Sequence, residues 1–143
     1  MAECTMPEKP MEDQEIKAFL GRIRTIAVVG VSHKPERDSH HVASYLKAHG
    51  YRVIPVNPKY EEVLGETCYP DLKSVPEPID VVDIFRSVDA IPGIVDEAID
   101  VKAGAVWMQL GLEHGEAGRK AHCAGLTVVM NRCMKVEHSR LMD

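Results

Sequence analysis

Five short apolar segments, separated by stretches with helical spacing, dominate the pattern of hydrophobic and polar positions along the chain. The segments are TIAVVG (25–30), YRVIPV (51–56), IDVVDIF (79–85), AVWMQLG (105–111) and LTVVMN (126–131). Their apolar residues are continuous rather than alternating, which is typical of parallel strands that have helices on both faces of the sheet. We therefore predict five buried parallel strands.

The stretches around these segments have the spacing of amphipathic helices. Ile16, Phe19 and Leu20 follow one another at intervals of three and one, so that they share a helix face. The predicted helices are 13–23, 39–49, 89–102, 113–122 and a short one at 135–141. Three of them are followed by a glycine, the residue that most easily adopts the left-handed conformation that ends a helix.

This alternation of strands and helices predicts the α/β class, with a single doubly wound Rossmann-like domain and a mainly parallel five-stranded sheet. We expect the domain to span residues 13–143 and residues 1–12 to form a flexible N-terminal tail. The proline-rich connection 57–78 has no clear helical pattern and has room for a single turn.

The composition and net charge argue against nucleic acid and a membrane as partners. The chain has 143 residues and a net charge of −5, so the protein as a whole does not attract nucleic acid. No apolar run reaches the roughly 18 residues of a membrane span, and the polar N-terminus does not have the pattern of a signal peptide. We therefore expect a cytoplasmic protein whose four cysteines are reduced thiols, since none of them falls in a metal or redox spacing.

The loop after the first strand, GVSHKPER, is the first candidate site. Gly30 permits a tight turn, Ser32 offers a hydroxyl, and Lys34 and Arg37 bring positive charge to the start of the next helix. A helix N-terminus with free N–H groups and basic side chains favours an anion, so this loop predicts phosphate binding. Only one of the three glycines of the dinucleotide fingerprint is present, however.

The second strand ends in Asn57, Pro58 and Lys59, where an NAD site usually has an acid for the ribose hydroxyls. A lysine would instead attract a phosphorylated ribose, which leaves NADP or coenzyme A as the nucleotide. The structural alternative is a plain turn with a solvated lysine. Phe85 and Arg86 end the third strand at the same edge of the sheet, where they could complete a nucleotide pocket.

Other chemistry has little support. No metal spacing, P-loop or nucleophile elbow occurs, so we expect neither a metal site nor ATP-dependent phosphoryl transfer. Trp107 and Met108 lie inside a strand pattern, which favours a core position. Cys133 follows the fifth strand between basic residues that could lower its pKa, although an inert cysteine is the more common case.

The chain resembles the small stand-alone CoA-binding domain proteins, whose Rossmann-like fold is shared with the CoA-binding domain of the succinyl-CoA synthetase alpha subunit. The resemblance is carried by TIAVVGVSHKPER, YLKAHGYRVIPVNP, GETCYPDLKSVPEPIDVVDIFR, VWMQLGL and VVMNRCMKVEHSRL, and it covers residues 13–141. It implies binding of coenzyme A or an acyl-CoA beyond the strand ends, as a non-catalytic binding, carrier or sensing module. The residues it implies are Gly30, Val31, Ser32, Lys34 and Arg37 at the phosphates, Asn57, Pro58 and Lys59 at the adenosine, and Phe85 and Arg86 completing the pocket.

Two alternatives remain open from the sequence. One is an NADP-dependent oxidoreductase, and the other is a redox-regulated protein in which Cys133 forms a mixed disulfide with CoA. The related ligases carry a further domain with a phosphorylated histidine, for which 143 residues leave no room, so we do not expect a ligase reaction. A homo-oligomer or an acyl-CoA-using enzyme as a partner also stays open.

Overall fold

A five-stranded parallel sheet forms the centre of the computed structural model, which describes residues 4–6 and 9–142. The strands are β1 (Thr25–Val29), β2 (Arg52–Val56), β3 (Glu62–Val63), β4 (Glu66–Thr67), β5 (Val81–Ile84), β6 (Ala105–Met108) and β7 (Thr127–Val129). The central sheet has the order β2-β1-β5-β6-β7, and β3 and β4 pair separately as a small antiparallel hairpin. The five predicted strands are therefore confirmed.

Helices cover both faces of this sheet. They are α1 (Asp13–Arg22), α2 (Asp38–Ala48), α3 (Ile91–Asp100), α4 (Gly115–Cys123) and α5 (Met134–Leu141), with short 3₁₀ helices at Leu72–Ser74 and Val88–Ala90. One apolar cluster joins α1, α2 and α5 to one face, with Trp107 fully buried in it. A second joins α3 and α4 to the other face and includes the fully buried Met108. The predicted doubly wound α/β architecture is confirmed, as is the core position of these two residues.

The end of α3 differs from the prediction. Gly104 was expected to take the left-handed conformation, but Lys102 takes it instead, with φ of 59°. Gly104 is needed for a different reason, because a Cβ atom there would lie 2.8 Å from the carbonyl oxygen of Asp80. This glycine lets the chain entering β6 pass close to the backbone that precedes β5.

We expect Gly104→Ala to destabilise the fold by about 1–3 kcal/mol, because the added methyl group meets backbone that cannot move without shifting a strand. Gly93→Ala is the matched control, since nothing lies within 4 Å of a Cβ atom there and the residue is inside α3. In a helix, alanine is favoured over glycine by up to about 1 kcal/mol. Urea denaturation of both variants checks the difference, and equal stabilities would contradict this reading of Gly104.

The connection between β2 and β5 contains more structure than its sequence suggests. The β3–β4 hairpin turns at Leu64 and Gly65, which both have positive φ, and the single helical turn is the 3₁₀ helix at Leu72–Ser74. Between them, Tyr69 lies beside β2, where its N–H donates to the Pro55 carbonyl at 3.0 Å. This connection therefore covers the edge of the sheet at β2.

The cysteines also depart from the expectation of four reduced thiols. Cys4 and Cys123 form a disulfide that joins residues 119 positions apart, whereas Cys68 and Cys133 are free. No spacing motif marks such a distant pair in the sequence. The predicted flexible tail, residues 1–12, falls partly outside the described residues, and its flexibility stays a prediction.

Among the helices of the described residues, none combines the length and the apolar character needed to cross a bilayer.

Candidate nucleotide-binding site

A crevice of about 730 Å³ opens at the carboxyl ends of β1, β2 and β5. Three connections line it, the β1–α2 loop, the turn after β2 and the segment after β5. They contribute Gly30, Ser32, Lys34, Glu36, Arg37, Asp38 and Ser39 from the first, Asn57, Lys59 and Tyr60 from the second, and Phe85, Arg86 and Ser87 from the third.

The strand order explains why the crevice lies there. From β1 the chain crosses to β2 on one side, and it later returns to β5 on the other side of β1. The connections that leave β1 and β5 therefore diverge to opposite faces of the sheet, and they leave a gap between them. In open α/β sheets this point of reversal is where ligands bind.

Gly30 allows three segments to meet at the base of the crevice. Its φ is +89°, a left-handed conformation, and its N–H donates to the Val56 carbonyl at 2.9 Å. A Cβ atom at this position would lie 2.5 Å from the Phe85 carbonyl oxygen and 2.8 Å from Cδ of Arg86. Only glycine fits here, because it satisfies both the backbone conformation and the close approach.

Hydrogen bonds within the β1–α2 loop fix its shape. The Ser32 N–H donates to Oγ of Ser39 at 2.9 Å, and Oγ of Ser32 accepts from the Lys34 N–H at 3.1 Å. Nδ1 of His40 lies 3.0 Å from the Ser32 carbonyl, so this nitrogen carries the proton. The backbone donor of Ser32 is therefore already used, while its hydroxyl proton and the first N–H groups of α2 remain available to an anion.

Asn57 links the turn after β2 to this loop. Its Nδ2 donates to the Val31 carbonyl at 2.9 Å, and its Oδ1 accepts from the Lys59 N–H at 2.9 Å. The Cys68 thiol donates to the Asn57 carbonyl at 3.4 Å, and burial raises the pKa of that thiol, which keeps it protonated. Asn57 stands at the position where an NAD site usually has its acid. Its amide here connects the turn after β2 to the β1–α2 loop, two of the connections that line the crevice.

Positive charge at the crevice is not neutralised by ion pairs. Within the described part of the chain, Lys34, Arg37, Lys59 and Arg86 form no salt bridge with a carboxylate. Two carboxylates, those of Glu36 and Asp38, also line the crevice, so the excess at its walls is two positive charges. All four basic side chains belong to exposed residues. Cations that converge without partners are suited to a phosphorylated ligand.

A narrower pocket of about 170 Å³ adjoins the crevice and shares Gly30 and Arg86 with it. Most of its wall is apolar: Val29, Val56 and Ile94 come from β1, β2 and α3, and Pro58, Pro70, Leu72 and Ala90 come from the connections. The Glu97 carboxylate also lines it and accepts a hydrogen bond from the Leu72 N–H. The pocket is large enough for an aromatic ring but not for a whole nucleotide.

The structure brings together nearly all of the residues singled out in the sequence. Eight of the ten line the crevice: Gly30, Ser32, Lys34, Arg37, Asn57, Lys59, Phe85 and Arg86. Pro58 lines the adjoining pocket instead. The Val31 side chain is fully buried in the core, so only its backbone takes part, through the bond from Asn57.

The sequence did not single out Glu36, Asp38, Ser39, Tyr60 or Ser87 of the crevice, nor the segment 70–72 of the adjoining pocket. Tyr60 contacts His33 edge-on, with ring centroids 4.4 Å apart, and it follows the predicted Lys59 by one position. The segment 70–72 reaches the adjoining pocket from a region in which the sequence shows no strand or long helix. No local motif indicates this segment, since its position depends on the hairpin and on the contact of Tyr69 with β2.

Cys133 lies at the same carboxyl-terminal end of the strands but outside the crevice. It is the half-buried residue that precedes α5, and β7 is two strands away from β5. His114 caps α4, with its Nδ1 accepting from the Ala117 N–H at 3.0 Å. In the described ranges, no group of three or more His, Cys, Asp or Glu side chains could hold a metal ion.

Comparison with known proteins shows the family to which the chain belongs. Residues 24–139 match the family model described as the CoA binding domain. The chain is 42% identical over 125 residues to the protein YneT of Bacillus subtilis, an alignment that covers 87% of this chain and 93% of YneT. It is also 34% identical over 97 residues to ADP-forming acetate–CoA ligase I of Archaeoglobus fulgidus. That alignment covers 66% of this chain but only 14% of the ligase, so the similarity is confined to one part of a much longer enzyme.

Among solved structures, a hypothetical protein from Pyrococcus horikoshii has the same fold over its full length. Its TM-score is 0.92 with 48% sequence identity, and the match covers all of both chains. The fold described above is therefore also that of a stand-alone protein.

Proposed function

Because the chain belongs to the CoA-binding domain family, we propose that it binds coenzyme A or an acyl-CoA in the crevice at the carboxyl ends of β1, β2 and β5. In this proposal the protein is a binding module that carries, senses or sequesters the cofactor and does not itself catalyse a reaction. The observation that carries the proposal is the convergence of four unpaired basic side chains, Lys34, Arg37, Lys59 and Arg86, on one crevice.

The pyrophosphate is assigned to the β1–α2 loop. Free N–H groups at the start of α2, the Ser32 hydroxyl proton and the side chains of Lys34 and Arg37 all suit a doubly charged anion. Arg37 precedes the first helical residue, and no side chain caps this helix end. The helix dipole therefore adds to the attraction of the basic residues.

The 3′-phosphate is assigned to Lys59. The absence of an acid after β2 removes the repulsion that a ribose phosphate would meet in an NAD site. Asn57 carries no charge that would repel a phosphate, and its amide is held in place by one bond at each end within the protein. The adenine ring is assigned to the apolar pocket beside Gly30, whose size and walls suit a flat ring.

The proposal is tested by isothermal titration of the purified protein with CoA, dephospho-CoA, NADP and NAD under reducing conditions. We expect CoA to bind, and to lose about tenfold to a hundredfold in affinity without its 3′-phosphate, since a hydrogen bond to a charged group contributes about 1.5–3 kcal/mol. Heat with NADP alone would instead favour the oxidoreductase alternative. No heat with any of the four ligands would contradict nucleotide binding.

The assignment of Lys59 has its own test. The double variant Lys34→Ala with Lys59→Ala is expected to weaken CoA far more than dephospho-CoA, because only CoA has the phosphate that Lys59 meets. Lys17→Ala is the control for the loss of a lysine charge elsewhere on the surface; it removes one positive charge, from an exposed position on α1, where the double variant removes two. Equal losses for both ligands would contradict the assignment while leaving CoA binding itself intact.

A further inference from the structure

The disulfide between Cys4 and Cys123 lies away from the proposed nucleotide site. It connects the N-terminal segment, defined here as Cys4–Met6 and Lys9–Met11, to the last residue of α4. The Cα atoms of the two cysteines are 5.7 Å apart. Helix α4 packs beside β7, the strand at the edge of the sheet, and not beside the strands that form the crevice.

Noncovalent contacts of the N-terminal segment are few. In the described residues 4–6 and 9–11, no backbone or side-chain group forms a hydrogen bond or an ion pair with the rest of the protein. Met11 packs against the core cluster and is half-buried, and Met6 is also half-buried. Apart from the chain itself, which continues into α1, the disulfide is therefore the strongest attachment between this segment and the body of the domain.

The segment also forms one wall of a groove. This groove of about 850 Å³ runs between Met6 and Met11 on one side and residues 125–130, which include β7, on the other. If the segment leaves, the groove loses that wall and β7 becomes more open to solvent, with Glu15, Ala18 and Arg22 of α1 still lining the groove.

Both bonded cysteines are exposed residues, unlike Cys68, which is 6% exposed. A small thiol can therefore reach the Cys4–Cys123 bond without unfolding of the domain. Disulfides that are exposed and that tie down a weakly held segment are the type most readily reduced.

We propose that the Cys4–Cys123 disulfide is a reversible redox switch, opened by a low-molecular-weight thiol, that releases the N-terminal segment from the edge of the sheet. One thiolate attacks a sulfur of the disulfide, forms a mixed disulfide and releases the other cysteine. A second thiolate attacks the mixed disulfide and releases the second cysteine. Two thiols are oxidised to one disulfide, the protein gains two electrons, and the protons lost by the thiols go to the two cysteines. A low-molecular-weight disulfide reverses the reaction.

This proposal does not depend on CoA binding. Its failure would leave the crevice unaffected, and the absence of CoA binding would leave the switch unaffected, because the two regions involve different connections of the sheet.

The test uses the full chain with Cys133→Ser, so that the competing half-buried thiol is removed. The protein is equilibrated in mixtures of reduced and oxidised glutathione, and free thiols are alkylated and counted by intact mass. Backbone ¹⁵N order parameters are measured in parallel for Thr5 and Met11. We expect two further alkylations on reduction, together with a fall of the order parameters from about 0.85 toward 0.6 or less, while the amides of β1 do not change.

The single variants Cys4→Ser and Cys123→Ser should show the low order parameters under all redox conditions. Three outcomes would overturn the proposal. They are failure of the two cysteines to pair in oxidised glutathione, order parameters that are the same in both states, and loss of the folded spectrum on reduction.

Discussion

Replacing Gly30 with alanine is expected to destabilise the protein by roughly 2–5 kcal/mol and to weaken CoA at least tenfold. The left-handed backbone at φ +89° costs a residue with a Cβ atom about 1–2 kcal/mol. Forcing a methyl group to within 2.5 Å of the Phe85 carbonyl adds about 1–3 kcal/mol. The loss of affinity follows because relief of this clash moves the β1–α2 loop away from Arg86, and both line the crevice.

Gly50 provides the control for this prediction. It has φ of +94°, but nothing lies within 4 Å of a Cβ atom there, so Gly50→Ala carries only the conformational cost. Urea denaturation gives the stabilities, and titration with CoA gives the affinities. If Gly30→Ala lowered stability and CoA affinity no more than Gly50→Ala, the close approach of Phe85 to the loop would contribute to neither.

The second large effect is expected at Asp83, a fully buried carboxyl group in β5. In the described structure, neither of its oxygens has a hydrogen-bond partner, and burial raises its pKa well above the usual range for aspartate. The nearby amide of Gln109 acts in the opposite direction, but the effect of burial is the larger of the two. Asp83 is therefore protonated in the folded protein at pH values where the unfolded chain has already lost the proton.

Stability should consequently fall as pH rises above about 4, the ordinary aspartate value, and should stop falling above the raised pKa of the folded state. The loss is about 1.4 kcal/mol for each unit by which the pKa is raised. Asp83→Asn removes this proton, so the stability of the variant relative to the original protein should increase from pH 4 to pH 8. Urea denaturation across this range measures the difference. A difference that does not change with pH would contradict the raised pKa.

The stability of Asp83→Asn has to be compared with that of the original protein at each pH, because other carboxyl groups change the stability in the opposite direction as pH rises. A hydrogen bond from Arg140 lowers the pKa of Asp13, and Lys47 and Arg52 lower that of Glu66. Such groups stabilise the folded state as pH rises from the acid range, so the total profile contains both contributions. Only the difference between the two proteins isolates Asp83.

The main elements of the fold could be predicted because each has a strong local pattern. Continuous apolar runs such as the one at 105–111 leave little choice but a buried strand. The β3–β4 hairpin was not predicted, because its strands have only two residues each and its turn, Leu64–Gly65, is not one of the usual pairs. Lys102 was not predicted to take the left-handed conformation after α3. Gly104, two positions further on, is of the residue type that usually takes it.

The crevice was predictable for a different reason. In a parallel sheet the carboxyl ends of the strands share one edge, so residues that follow β1, β2 and β5 must lie near one another whatever the details of their loops. The adjoining pocket and the Cys4–Cys123 pair depend instead on contacts between parts of the chain that no local pattern connects. Composition suggested reduced cysteines, but it carries no information on which side chains meet in space.

The fluorescence of Trp107, the single tryptophan, can report on the packing of the core around it. The residue is fully buried, its indole N–H donates to the Arg132 carbonyl at 2.7 Å, and in the sheet it pairs with Asp83. Its emission therefore reflects the core and the start of α5, and it does not come from a wall of the crevice. Unfolding can be followed optically without a label, and a ligand in the crevice adds no direct contact that would obscure the signal.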